Sequence, residues 1–299
     1  MRRGPVPAIW ATMDIRHSIR TRGGAAATHD LHADGFDRSA IRSAVRSRRI
    51  VRVRQGWYIE PGRHPALVEA ARVGGRLTCG PALRLHGIWV IRDRGLHVVV
   101  KESACQLRRP DDRFRRLEHP SHGVVIHWTG RDDSESRLIA DPIQALTDLL
   151  RCSTPELVAA SAESLLYLQP HSRAAIARFV STAPARAAWA LRAVDGRSES
   201  GTEFIFRLRI SKRGVVPRPQ VPIAGVGRVD FVIGERLVVE VDGAEYHTDR
   251  DRFEDDRQRD ARLSSLGYRV LRFSHRQVID DWPIVEMAVL AAVARADHL

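Results

Sequence analysis

Arg228-Val-Asp-Phe-Val-Ile233 and Leu237-Val-Val-Glu-Val-Asp-Gly-Ala-Glu-Tyr-His247 are the two stretches that decide how the chain is read. Each opens as a short run of β-branched and apolar residues, and Gly234-Glu235 between them reads as a turn, so together they predict a β-hairpin. Side chains alternate along a strand. Asp230 and Val232 therefore share one face, and Val238, Glu240 and Asp242 share a face of the second strand. With the turn at 234–235, residue 230 lies opposite residue 239 or 240. Asp230, Glu240 and Asp242 can then meet at one end of the hairpin. Carboxylates held that close repel each other, and such a cluster usually needs a cation. Oxygen ligands suit a hard divalent ion, so Asp230, Glu240 and Asp242 are expected to hold Mg2+ (or Mn2+).

The flanking sequence extends this core. Glu203 to Lys212 has helical spacing at Phe204, Ile205 and Leu208, and Gly214 ends it. Val221 to Ile223 reads as a strand, Asp251 to Leu266 as a helix closed by Gly267, Tyr268 to Phe273 as a strand and Ile284 to Ala294 as a last helix. The order is α, three β, α, β, α. Ser200-Gly-Thr-Glu203 has the form of a capping box, so Glu203 either caps its own helix or both caps it and reaches the site. His247 is either a loop residue or an acid–base group beside the metal. Arg259 either contacts phosphate or pairs with Asp255 or Asp256 along its helix, and the second role is expected.

Together, Arg228-Val-Asp-Phe231, Val238-Val-Glu-Val-Asp-Gly243, Tyr246-His247, Arg259-Asp-Ala-Arg-Leu263 and Gly267-Tyr-Arg-Val-Leu-Arg-Phe273 resemble a widespread bacterial family related to the Vsr mismatch endonucleases, over roughly residues 199–290. The element order resembles the PD-(D/E)xK nuclease core. The resemblance implies that Asp230 is the metal-binding acid, that Glu240 is the second acid and that the Val241 carbonyl adds a ligand. It sets Glu203 as the helix acid and His247 as an active-site histidine. Glu203, Asp230, Glu240, Asp242 and His247 are thus the expected catalytic set. One departure stands out. Asp242 occupies the place where the general pattern has lysine and the Vsr enzymes have histidine, so a cation that would stabilise developing charge must come from elsewhere.

The N-terminal end has a different character. The whole chain carries a net charge of +12, and residues 1–60 hold twelve arginines against five acids. A concentrated positive charge suits a polyanion. Ile15 to Arg22, Thr28 to Ala33 and Arg38 to Arg49 read as helices, the third capped by Asp37. Ile50 to Arg54 and Trp57 to Ile59 form a hairpin around Gln55-Gly56. Three helices and a hairpin are the order of a winged helix-turn-helix, in which the third helix enters the major groove and the wing meets backbone. Arg38, Arg42, Arg46 and Arg49 on the helix, with Arg52 and Arg54 on the wing, are the expected DNA contacts. Asp37 to Val45 and Ile50 to Tyr58 resemble the N-terminal domain of the AbiEi antitoxins, and Leu83 to Ile88 resembles the segment after it. That likeness implies contact with duplex DNA.

The expected architecture is α+β and multidomain: a winged helix-turn-helix at 1–60, an α/β middle domain at 61–185 of antitoxin-like character, a connector at 186–198, and a restriction-endonuclease-like αβββαβ core at 199–295. Cys79, Cys105 and Cys152 are few, odd in number and far apart, which argues against disulfides and against a zinc site; they are expected as small buried residues. His86, His97, His119, His122 and His127 show no metal-ligand spacing on one element. The absence of an apolar signal core and of an apolar run of about eighteen residues points to a cytoplasmic protein with no membrane partner. The reading is a DNA-binding, metal-dependent endonuclease. Its alternatives are a non-catalytic repressor or antitoxin-like regulator and an RNA-directed nuclease. A toxin partner and a homodimer stay open.

Overall fold

The structure is a computed structural model, and it describes residues 14–91, 95–118, 123–130, 137–242 and 250–299, with 250–256 described by backbone alone. The chain divides into two compact units, Met1–His86 with Arg92–Leu149, and Gly87–Ile91 with Leu150–Leu299. Their division at 149/150 falls inside the stretch 61–185 that the sequence suggests as one piece.

The first unit begins with α1 (Ile15–Thr21), β1 (Ala25–Ala27), α2 (Thr28–Ala33), α3 (Arg38–Arg46), β2 (Val51–Arg54) and β3 (Trp57–Ile59). Asp37 caps α3 by accepting the Ala40 N–H at 2.7 Å. The apolar face of α3, Ile41 and Ala44, is buried with Ile15, Ile19, Leu31, Ile50 and Tyr58. The sheet runs β1-β3-β2, all antiparallel. Strand β1 is absent from the sequence reading because Ala25, Ala26 and Ala27 are all buried and show no alternation. The unit continues with α4 (Pro65–Val73), β4 (Arg76–Leu77), α5 (Cys79–Leu85), β5 (Leu96–Lys101), β6 (Val124–Thr129) and α6 (Pro142–Cys152) as far as Leu149, and its second sheet has the order β4-β5-β6. Strands β5 and β6 are parallel, with His97 opposite Val125 and Val99 opposite His127.

The second unit contains α7 (Pro155–Leu168), α8 (Arg173–Thr182), α9 (Ala185–Leu191), α10 (Gly201–Ser211), β7 (Pro217–Ile223), β8 (Gly227–Ile233), β9 (Leu237–Asp242), α11 (Arg250–Ser265), β10 (Arg269–Ser274), α12 (His275–Asp280) and α13 (Trp282–Ala294). The predicted connector at 186–198 is therefore partly helix, as its alanine content favours. The sheet order is β10-β9-β8-β7. Strands β7, β8 and β9 form an antiparallel meander, and β10 returns parallel to β9 after the α11 crossover. Val232, Val238 and Leu263 of α11 pack together on one side of the sheet. On the other, Phe206 of α10 lies 5.0 Å from Phe231 and 6.4 Å from Phe273 between ring centroids. The sheet is thus covered on both faces, which leaves its polar residues at strand ends and breaks in pairing.

Two devices set the start of α10. Glu163 of α7, fully buried, accepts the N–H groups of Asp195, Gly196 and Ser198 and the Arg207 guanidinium at 2.8–2.9 Å. Trp89 lies so close to Gly201 that a Cβ there would stand 2.1 Å from the indole, so position 201 tolerates no side chain. Ser200 then caps α10 through the Glu203 N–H.

Candidate active site

The β8–β9 pairing runs Ile233 to Leu237, Val232 to Val238 and Phe231 to Val239, and then stops. One further step would set Asp230 against Glu240. Instead of a ladder bond, the Asp230 carboxylate accepts the backbone N–H of Val241 at 2.7 Å. On the opposite edge β7 pairs Pro219 with Phe231 and Val221 with Val229, leaving Gln220 across from Asp230. Gln220 has a φ of 55°, so the strand is irregular at that point. On β10, Arg272 is the partner of Glu240. Gln220, Asp230, Glu240 and Arg272 thus form one polar row across four strands.

Glu203 joins the row from α10. Its Oε2 accepts the Gln220 amide at 2.8 Å and the Glu199 N–H at 3.0 Å. It is 6% exposed and Glu240 7%. Glu203 thus holds the backbone at the helix start through the Glu199 N–H, not through the Ser200 N–H of a reciprocal capping box, and the same carboxylate lies beside Gln220 and within reach of the Asp230 charge.

Burial and mutual repulsion act on all three acids. Burial, and next the charge of Asp230, push the Glu203 and Glu240 carboxyls each up to about 7. Asp230 is raised too, chiefly by burial, against the lowering effect of the Val241 N–H and Arg259. Carboxyls that are costly to ionise together, with oxygens as their only donors, are a donor set that fits a hard divalent cation.

Arg259 of α11 reaches Glu240, whereas the side chains of Asp255 and Asp256, its expected partners along the helix, lie outside the described residues. Its Nη2 donates to Glu240 Oε1 at 2.9 Å and also to the Arg228 carbonyl. Its Nε is buried with no hydrogen-bond partner among the described residues. Arg272 donates to Asp260 at 2.6 Å and its charge also lowers the Glu240 carboxyl. The predicted third ligand, Asp242, is exposed at the end of β9, so burial is shared by Glu203, Asp230 and Glu240 and not by Asp242. His247 lies outside the described residues. Sequence reasoning missed Gln220, for which no motif signals, and Arg272, whose place beside Glu240 depends on the β9–β10 register.

The arginines named at the N-terminal end fall into two groups. Arg38, Arg42, Arg46, Arg49 and Arg52 are exposed. Arg54 is half-buried with its guanidinium against Gly74, and burial lowers its pKa.

The cysteines differ from expectation. Cys79 is buried, whereas Cys105 and Cys152 are exposed. The ligand atoms of Cys79, His97 and His127 lie within 4.8 Å of one another, although no two share an element.

Residues 205–292 match the restriction-endonuclease-like family model REase_MTES_1575. This part of the chain is therefore nuclease-like; the match spans less than a third of the whole. No curated protein matches the chain. Among solved structures, the catalytic domain of the homing endonuclease I-Bth0305I is 22% identical, with 30% of this chain and 89% of that one covered and a TM-score of 0.27. No helix among the described residues is long and apolar enough to cross a membrane.

Proposed function

We propose that the protein binds duplex DNA and hydrolyses its phosphodiester bonds with a divalent cation, Mg2+ or Mn2+, held by Asp230 and Glu240. The observation that carries this reading is the burial of Glu203, Asp230 and Glu240 around one break in the sheet, with two carboxyls raised to about 7. An idle surface gains nothing from such repulsion. A bound cation would polarise the scissile phosphate and lower the pKa of its water. Asp230, oriented by the Val241 N–H, and Glu240 supply the oxygens. Glu203, positioned by Gln220, holds or takes a proton near neutral pH. Arg259 supplies the positive charge that Asp242, standing at the usual lysine place, cannot. Its Nε, without a hydrogen-bond partner among the described residues, would donate to a phosphate oxygen. Asp242 supports the cation from the strand end, and His247 handles a proton.

In this reading residues 1–60 are a winged helix-turn-helix of AbiEi type. Arg38, Arg42, Arg46, Arg49 and Arg52 meet the duplex, and Arg54 braces the wing. The second reading is a non-catalytic regulator that keeps the nuclease fold as scaffold. Asp242 favours it. Incubation with supercoiled plasmid and Mg2+ or Mn2+, beside Asp230→Asn, separates the two. Nicking by the parent protein alone supports the enzyme. DNA binding without nicking in either protein supports the regulator.

A further inference from the structure

We propose that Cys79, His97 and His127 form a buried metal site in the first unit that takes zinc, separate from the carboxylate site. Cys79 is 0% exposed, and His97 and His127 are each 4% exposed. These three side chains, removed from water, converge on one another. Cys79 Sγ stands 3.2 Å from His127 Nε2, and His97 Nδ1 stands 3.3 Å from the same atom. Zinc bound tetrahedrally by thiolate and imidazole sets its ligand atoms about 3.3 to 3.6 Å apart, as follows from its bond lengths. The observed separations are close to those edges.

The fold holds the three ligands in place independently of one another. His97 and His127 sit on the parallel strands β5 and β6, two residues out of register, so both fall on one face. The Thr78 N–H donates to the His97 carbonyl at 3.0 Å, which brings the start of α5 to β5. The Thr78 hydroxyl donates to the buried Asp148 at 2.7 Å. Cys79 itself has a φ of 54°, a left-handed conformation that is uncommon for a non-glycine residue and tends to mark functional positions. One soft thiolate and two imidazoles select zinc over magnesium, so this site and the oxygen-only site would sort different ions. A bound ion would tie α5, β5 and β6 together.

The test uses the full chain, purified without chelator and refolded with zinc or with cobalt(II). Metal analysis should find about one zinc per chain, retained in an Asp230→Asn/Glu240→Gln variant. Cobalt should give a thiolate charge-transfer band in the near ultraviolet that is reduced in Cys79→Ser and persists unchanged in Cys105→Ser. A chelator should lower the Tm of the parent protein, which keeps the test decisive if Cys79→Ser does not fold. A folded protein that retains no zinc and gives no band overturns the proposal, as does a band lost with Cys105→Ser instead.

Discussion

The Asp230 carboxylate accepts the backbone N–H of Val241 at 2.7 Å. Strand β9 thereby satisfies an amide where its ladder with β8 has ended, and the acid is aimed by the backbone beside Glu240. A side chain locked in this way reaches its working geometry before any ligand arrives.

Asp230→Asn and Asp230→Ala should separate charge from structure. The asparagine keeps an acceptor for the Val241 N–H, while alanine leaves that donor without its partner, at a cost of about 1–3 kcal/mol if it stays dry. Without a divalent cation Asn should be as stable as the parent or more so, since the repulsion with Glu203 and Glu240 is removed. Ala should melt lower. Both should lose at least about a hundredfold in cleavage, the scale of one removed charge-stabilising group. Thermal melts and plasmid nicking read the two effects.

The pH dependence of stability follows from the raised carboxyls. Glu203 and Glu240 move from 4.5 to about 7 on folding. The folded chain therefore holds protons that the unfolded chain releases. Their contribution is fully present below pH 4.5 and is lost as the pH rises through about 7. Metal-free protein should lose Tm across that window. Added Mg2+ should restore it, with a gain that grows from pH 5 to pH 8. A Tm that stays flat in Glu203→Gln/Glu240→Gln would assign the effect to these two residues.

Arg259→Met keeps an unbranched apolar stem and removes the charge beside Glu240. The Glu240 carboxyl should rise further, and Mg2+-dependent cleavage should fall by about a hundredfold. A variant with Asp255 and Asp256 both changed to Asn should cleave normally if Arg259 acts through Glu240. Equal losses would instead return Arg259 to a role along its helix.

The second unit should depend on Glu163. Glu163→Ala removes one of the two carboxylates on Arg207, which keeps Asp195, and leaves the N–H groups of Asp195, Gly196 and Ser198 without their acceptor, at a cost of about 1–3 kcal/mol for each that stays dry. Arg228→Ala, at an exposed pair with Glu199, should cost less than about 1 kcal/mol. Denaturant unfolding measures both.

Arg42→Ala with Arg46→Ala should weaken duplex binding and reduce the slope of log K against log salt by about 2, as expected for two lost phosphate contacts. Arg54→Ala should instead act on stability, because that side chain is packed against Gly74. Unchanged affinity and slope in the double variant would remove α3 from the DNA contacts.

Much of the second unit was legible because its elements are long and periodic. The α, βββ, α, β, α order and the approach of Asp230 to Glu240 both follow from alternation about one turn. Register decided the rest. Asp242 shares a face with Glu240 but ends its strand in solvent, and alternation does not report depth. Arg272 reaches the site only through the parallel pairing of β9 with β10, and Gln220 only through an irregularity in β7. The Cys79, His97 and His127 cluster was illegible for the same reason. Its members are eighteen and thirty residues apart and meet through the β5–β6 pairing and the Thr78 bond to His97, whereas sequence reasoning looked for ligands on one element. The place of α8 and α9 in the second unit was equally hidden, since α8 falls within the expected middle domain and α9, short and alanine-rich, runs into the expected connector at 186–198.

The most direct test of the account is strand cleavage by the purified full chain at neutral pH, with Mg2+ or Mn2+ and supercoiled plasmid, beside Asp230→Asn shown to fold by its melt. The account predicts metal-dependent nicking by the parent protein and its loss in the variant. Undiminished nicking by Asp230→Asn, or none by the parent protein on DNA it demonstrably binds, would contradict it.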